Sequence, residues 1–190
     1  MKKTTLHWRA LLMANALLCL LGCASPSYQA SSTEVAQQDF FDRWQALCGA
    51  RFEGHTTFPE EPSEAFRGKK LVATVATCNA TEIRIPFAVG ADRSRTWVLT
   101  QTKYGALQLK HDHRHEDGTP DEINYYGGMA TENGTASVQS FAADPHTARI
   151  IPEAASNVWQ ISLSQDGREL VYYLERHAQP RFRAQFVRVN

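Results

Sequence analysis

The chain has 190 residues, 43% of them hydrophobic and 10% aromatic, with 20 basic and 20 acidic side chains. That length supports one domain with a substantial core and is short for two. The even charge balance provides no basic field for a nucleic-acid backbone, so no nucleic-acid partner is expected, and the composition excludes a disordered, coiled-coil or collagen-like chain.

The first element in chain order reads as a sorting signal, residues 1–22. Lys2, Lys3 and Arg9 precede an apolar run of 12 residues, Ala10 to Leu21, interrupted only by Asn15. A bilayer span needs about 20 apolar residues; this run has the length of a signal-peptide core. It ends in Leu20-Leu21-Gly22-Cys23. The pattern resembles the lipobox of bacterial lipoproteins, Leu-x-[Gly/Ala]-Cys placed directly after the apolar core. The resemblance implies cleavage before Cys23, diacylglycerol on its thiol and acylation of the new amine. The chain would then reach its membrane partner through an N-terminal lipid such as palmitate. Several acyl chains anchor stably where one is marginal. Ala24 rather than Asp follows Cys23, which in that family implies the outer membrane of the cell envelope, facing the periplasm.

Removing 22 residues that carry three basic groups leaves 168 residues with 17 basic and 20 acidic side chains. Cys19 leaves with the signal and Cys23 is lipidated. Cys48 and Cys78 remain, an even pair in an oxidising compartment, and a disulfide between them is expected. Closing a loop of that length contributes about 3–4 kcal/mol by chain entropy. The alternative is two buried free thiols.

Residues 23–32 form a lipidated polar tether, and residues 33–190 a single domain. Ser31-x-x-Glu34 is a capping box. The helix it opens carries Phe40, Phe41, Trp44, Leu47 and Cys48 on one face, with Gly49 as its stop. Beyond Gly49 the period changes to two. Residues 50–58 place Ala50, Phe52, Gly54, Thr56 and Phe58 together; 59–68 is a Pro/Glu-rich loop. Strands follow at 70–78, 82–87 (Ile83, Ile85, Phe87), 95–102 (Trp97, Leu99) and 105–115. Weaker ones follow at 122–127, 135–141 and 150–151. The chain ends with strands at 158–164 (Trp159, Ile161, Leu163), 168–175 (Leu170, Tyr172, Leu174) and 181–189. Asp117-Gly118, Asn133-Gly134 and Asp166-Gly167 mark turns.

One helix followed by eight to ten short strands predicts an all-β fold, an antiparallel up-and-down barrel or a sandwich. The helix and the Leu47-Cys48-Gly49-Ala50-Arg51-Phe52-Glu53-Gly54 stretch resemble the entry into a lipocalin-like (calycin) barrel, where a short helix precedes a Gly-x-aromatic first strand. Here the spacing is Gly49-x-x-Phe52, with Phe in place of that family's Trp. The resemblance implies an interior able to hold one small amphiphilic ligand. Arg95, Trp97 and Tyr125 are the candidate ligand contacts.

Gly105 to Gly118 is chemically unusual. With period two, Leu107, Leu109, His111, His113 and His115 share one face. Gln108, Lys110, Asp112, Arg114 and Glu116 share the other, read as the solvent face. Alternate strand residues lie about 6.6 Å apart, so two imidazoles can converge on one transition metal at about 2.0–2.1 Å per bond. All three on one ion would be strained. A metal site would therefore pair two of His111, His113 and His115 with Asp121, Glu122, His55, His146 or His177. The competing readings are a buried polar network, with Tyr125 as a partner, and a solvent-facing hairpin end.

Asp92-Arg93-Ser94-Arg95 fits an anion contact or a charged turn. No Gly-x-Ser-x-Gly, phosphate loop or EF-hand rhythm occurs, and no catalytic residue is assigned. Three functions follow: a non-catalytic small-molecule binding barrel, ranked first, then a structural or assembly lipoprotein of the envelope, then a metal-binding protein centred on the His row.

Overall fold

The computed structural model describes residues 29–189. The apolar run and Cys23 lie outside the described residues. Helix α1 (Ser32–Ala46) starts at the expected capping box: the Ser31 hydroxyl accepts from the Glu34 amide at 3.2 Å, and the Ser31 amide donates to the Glu34 carboxylate at 2.7 Å. Phe40, Phe41, Trp44 and Leu47 are buried as their spacing requires. Cys48 leaves that face: it is exposed and bonded to Cys78.

Eleven strands follow: β1 (Arg51–Phe58), β2 (Leu71–Thr74), β3 (Thr77–Cys78), β4 (Glu82–Val89), β5 (Asp92–Gln101), β6 (Leu107–His113), β7 (Tyr126–Met129), β8 (Val138–Ala142), β9 (Asn157–Leu163), β10 (Glu169–Arg176) and β11 (Gln179–Val189). All pairings are antiparallel, in the order β7-β6-β5-β4-β2-β1-β11-β10-β9-β8, with β3 beside β4. First and last strands pair, so the meander is circular. The outermost strands, β7 and β8, meet through an isolated Ala130–Phe141 bridge and Thr131 N–H to Ser140 C=O at 2.8 Å. The sheet is a nearly closed up-and-down barrel, the all-β architecture expected from the alternation.

Several boundaries differ from the expectation. The 70–78 strand is two strands separated by a break. The 122–127 strand begins only at Tyr126, because Tyr125 adopts φ 54° and interrupts the extended backbone. Phe58 drops out of the inward row at a register shift after Thr56 and is exposed. Residues 150–151 are not a strand. A second helix, α2 (Pro145–Ile150), occupies this region, capped by Asp144 with Pro145 at its first turn, and a 3-10 turn (Pro152–Ala154) follows.

Helix α1 plugs one end of the barrel. Arg43 donates to Ser137 Oγ and the Ser164 carbonyl, both at 2.7 Å, Gln37 accepts from the Leu107 amide at 2.8 Å, and Gln45 donates to the Asn79 carbonyl at 2.6 Å. These partners sit at or beside strand ends on one rim. Trp44 enters against Phe52, ring centroids 6.3 Å apart. The disulfide fastens this end, joining the residues after α1 to β3. Replacing both Cys48 and Cys78 by serine should cost about 3–4 kcal/mol in urea unfolding; an unchanged midpoint would show that the bridge does not restrain the unfolded chain.

Candidate functional site

The end of the barrel opposite α1 holds a cavity of about 340 Å³. Strand parity builds it. Across β4 to β7 the register aligns Ile85, Trp97, His111 and Tyr126, and the next inward pair toward the rim is Arg95 with His113. From β9 and β10 come Asn157, Trp159, Tyr172, Leu174 and Arg176. Phe66, Ile151, Ala154 and Phe182 complete the wall. At the mouth, the β10–β11 turn is the two residues His177-Ala178, at φ 53° and 54°, the left-handed pair of a type I′ hairpin. It ends β10 at Arg176.

Aromatic packing fixes the wall. Trp97 lies between Phe87 (4.6 Å, 20° between planes) and Tyr172 (4.5 Å, 7°). His111 stacks on Tyr126 (4.7 Å, 10°) and tilts against Trp159 (5.2 Å, 46°). Its Nδ1 lies 3.1 Å from the Tyr126 carbonyl and its Nε2 2.7 Å from the Tyr172 hydroxyl. A carbonyl oxygen only accepts, so Nδ1 carries the proton and Nε2 accepts from Tyr172. Tyr126 Oη in turn lies 2.9 Å from His113 Nε2. A row thus runs from the core at Tyr172 through His111 and Tyr126 to His113 near the rim, joined by hydrogen bonds and by the His111–Tyr126 ring stack.

Burial governs the ionisation of this row. It pushes His111 down to about 3 from its usual 6.5, with His113 and Lys110 adding to the effect. His113 is also lowered, by burial first and then by the Arg95 charge. Burial raises the Tyr126 phenol to about 12 and the Tyr172 phenol well above its usual range. At neutral pH both imidazoles and both phenols are uncharged. The cavity's charge is that of Arg95 and Arg176, with no Asp, Glu, Lys, Ser, Thr or Cys in its wall. Arg95 pairs with Asp92 and its guanidinium carbon lies 5.8 Å over the Phe66 ring. Arg176 donates from Nε to the Asn157 side-chain oxygen at 2.8 Å.

The predicted site residues separate accordingly. His111 is buried, His113 half-buried and His115 exposed beyond the end of β6. The row does not converge: both ring nitrogens of His111 are engaged, and among the described residues no three His, Cys, Asp or Glu side chains are grouped to hold a metal ion. His146 bonds the Asn124 carbonyl and Arg149, and His177 bonds Ser156. Arg95 and Trp97 are on the cavity wall. Tyr125 is outside it, exposed, with its hydroxyl 3.5 Å from Arg84; its neighbour Tyr126 takes the inward place.

The face of β6 read as solvated also differs. Lys110 and Asp112 are buried. Lys110 pairs with Asp144, the cap of α2, and Asp112 with Arg84 and Arg114. Buried charges require such partners, and the partners come from β4, from the end of β6 and from the α2 segment folding across the outside of the sheet. Arg93 donates to the Gly90 carbonyl at 2.7 Å and serves the β4–β5 turn. Asn157 and Arg176 went unread in the sequence, although Arg176 continues the Leu170, Tyr172, Leu174 parity. Comparison with known protein families, curated proteins and solved structures finds no match for this chain.

Proposed function

We propose that this protein is a lipid-anchored binding barrel of the bacterial cell envelope that holds one small amphiphilic molecule in the cavity opposite α1. The observation that carries the reading is the cavity itself. Its volume of about 340 Å³ falls within the roughly 300–1,000 Å³ of small-molecule sites. Its aromatic wall and few converging polar groups match their usual composition. The hydrogen-bonded and stacked rings preform it, which lowers the ordering cost of binding. Its polar groups offer donors and stacking surfaces, and no Asp, Glu, Lys, Ser, Thr or Cys lies among them.

The anchor reading rests on the Leu20-Leu21-Gly22-Cys23 motif. Cys23→Ser should abolish palmitate labelling and leave the signal uncleaved at this site; a labelled variant would contradict it. The fold complements an anchor there. The described chain enters the domain at Ser31, on the α1 end, opposite the cavity mouth. Eight residues between Cys23 and α1 extend to at most about 29 Å, about the length of an eight- or nine-residue strand.

The binding reading is tested with the full chain and probes of about a dozen non-hydrogen atoms, naphthyl and octyl compounds in acid and amide forms. At least one should bind with 1:1 stoichiometry and quench tryptophan fluorescence through Trp97 and Trp159. Leu174→Trp, which fills the cavity from β10, should weaken that binding at least tenfold. Failure of every probe to bind, or binding unaffected by Leu174→Trp, would overturn the reading.

A further inference from the structure

The wall of this cavity is unbalanced in charge. Two guanidinium groups line a mainly aromatic space whose other polar groups are uncharged, and no carboxylate lies among the lining residues. The two are not equivalent. Arg95 is already neutralised by Asp92. Arg176 rests on a neutral amide oxygen, that of Asn157, itself 4% exposed. Among the described residues Arg176 takes part in no ion pair, whereas Arg95, the other guanidinium of this wall, does. The Asn157 contact occupies Nε and orients the guanidinium plane, which leaves the terminal Nη donors for a partner.

We propose that the ligand is an organic anion, a carboxylate or an acid of similar charge on an apolar body, whose charged end pairs with Arg176 while its body lies against the Trp97, Trp159 and Phe182 rings. This rests on the binding-barrel reading and gives the class of its ligand. A guanidinium presents paired donors that match a carboxylate, and partial removal from water strengthens the pair. The Tyr126–His113 pair, close to the rim, keeps one free donor for a polar end. At about 30 Å³ per water volume, the cavity of about 340 Å³ equals some eleven waters, which suits a ligand of about a dozen non-hydrogen atoms. A cationic ligand would meet two like charges there and no counter-charge in the wall.

The test compares isosteric probes on the full chain by titration calorimetry: 2-naphthoate against 2-naphthamide and 2-naphthylmethylammonium, and octanoate against octanamide. For at least one body, the acid should bind tenfold or more tighter than the amide, and the ammonium compound should bind weakest. Arg176→Gln should reduce the acid to the affinity of the amide; Arg95→Gln should cost less, because Asp92 already offsets that charge. Equal binding of acid and amide by the unaltered protein would overturn the anion assignment and leave the binding barrel standing. An acid preference that survives Arg176→Gln would overturn Arg176 as its seat. No binding by any probe would overturn both readings.

Discussion

Replacing Gly128 with alanine should lower stability by about 4 kcal/mol or more in urea unfolding, at the upper end of single substitutions. Gly128 stands in β7 where the barrel closes on β8. A Cβ there would overlap the Ala142 carbonyl oxygen, a backbone atom that cannot rotate aside. Gly127 beside it has φ 145°, and a Cβ there would meet the Leu109 carbonyl. The glycine pair lets the backbone of β7 lie between β6 and the segment entering α2. That approach makes a set of bonds: the Gly127 amide to Thr147 Oγ1 at 2.7 Å, Thr147 Oγ1 to the Gly127 carbonyl at 2.8 Å, and the Asp144 amide to the same carbonyl at 2.9 Å. Separating the two segments by even one ångström loses these together and strains the Lys110–Asp144 pair. The Asp144 and Thr131 amides should then exchange with solvent much faster than those of β9 and β10. A loss below about 1 kcal/mol with unchanged exchange would mean that the seam does not stabilise the barrel.

The barrel was legible because its strands are period-two segments separated by explicit turns, and inward residues such as Ile83, Trp97, Leu109, Ile161 and Leu170 fall where alternation puts them. Helix α2 was missed because six residues are too few to show a helical period. The Asp144-Pro145 pair, a capping residue followed by proline at the first turn, was its one local signal. Tyr125 and Tyr126 exchanged roles because φ 54° at Tyr125 breaks the alternation, and no pattern of side chains announces that break. The outer face of β6 looked solvated because Lys110, Asp112 and Arg114 alternate with the inward residues. Whether such a face stays wet depends on what folds over it, here Arg84, Tyr125 and the α2 segment, all distant in sequence. The inward phase of His111 and His113 was readable. Their partners on β7 and β10 were not, since they are set by barrel closure. Arg176 required only that the β10 alternation be carried one step further.

His111 should be the most costly histidine to remove, and it should couple stability to pH. Its ring is 4% exposed, stacked on Tyr126 and bonded at both nitrogens. His111→Ala should therefore cost about 3–5 kcal/mol, as for other buried aromatic truncations, and it leaves the Tyr172 hydroxyl without its acceptor. His115→Ala, at an exposed position, should stay within about 0.5 kcal/mol. The folded protein holds His111 neutral down to about 3, whereas the free side chain takes a proton near 6.5. Between those values the unfolded chain binds more protons, so acidification favours unfolding. The contribution is complete above 6.5 and falls by about 1.4 kcal/mol for each pH unit below it. His113 shifts in the same direction and adds to the slope. The lowered carboxylates, such as Asp92 at about 2 and Glu53, also lose stability in acid, but mainly below about pH 5. The window from about pH 5 to 6.5 thus reads mainly the imidazoles. Urea unfolding across it should show a shallower dependence in His111→Gln than in the unaltered protein, by up to one proton. Identical slopes would mean that the His111 ring gains a proton in the fold as readily as in water, and the buried row from Tyr172 to His113 would not exist in solution.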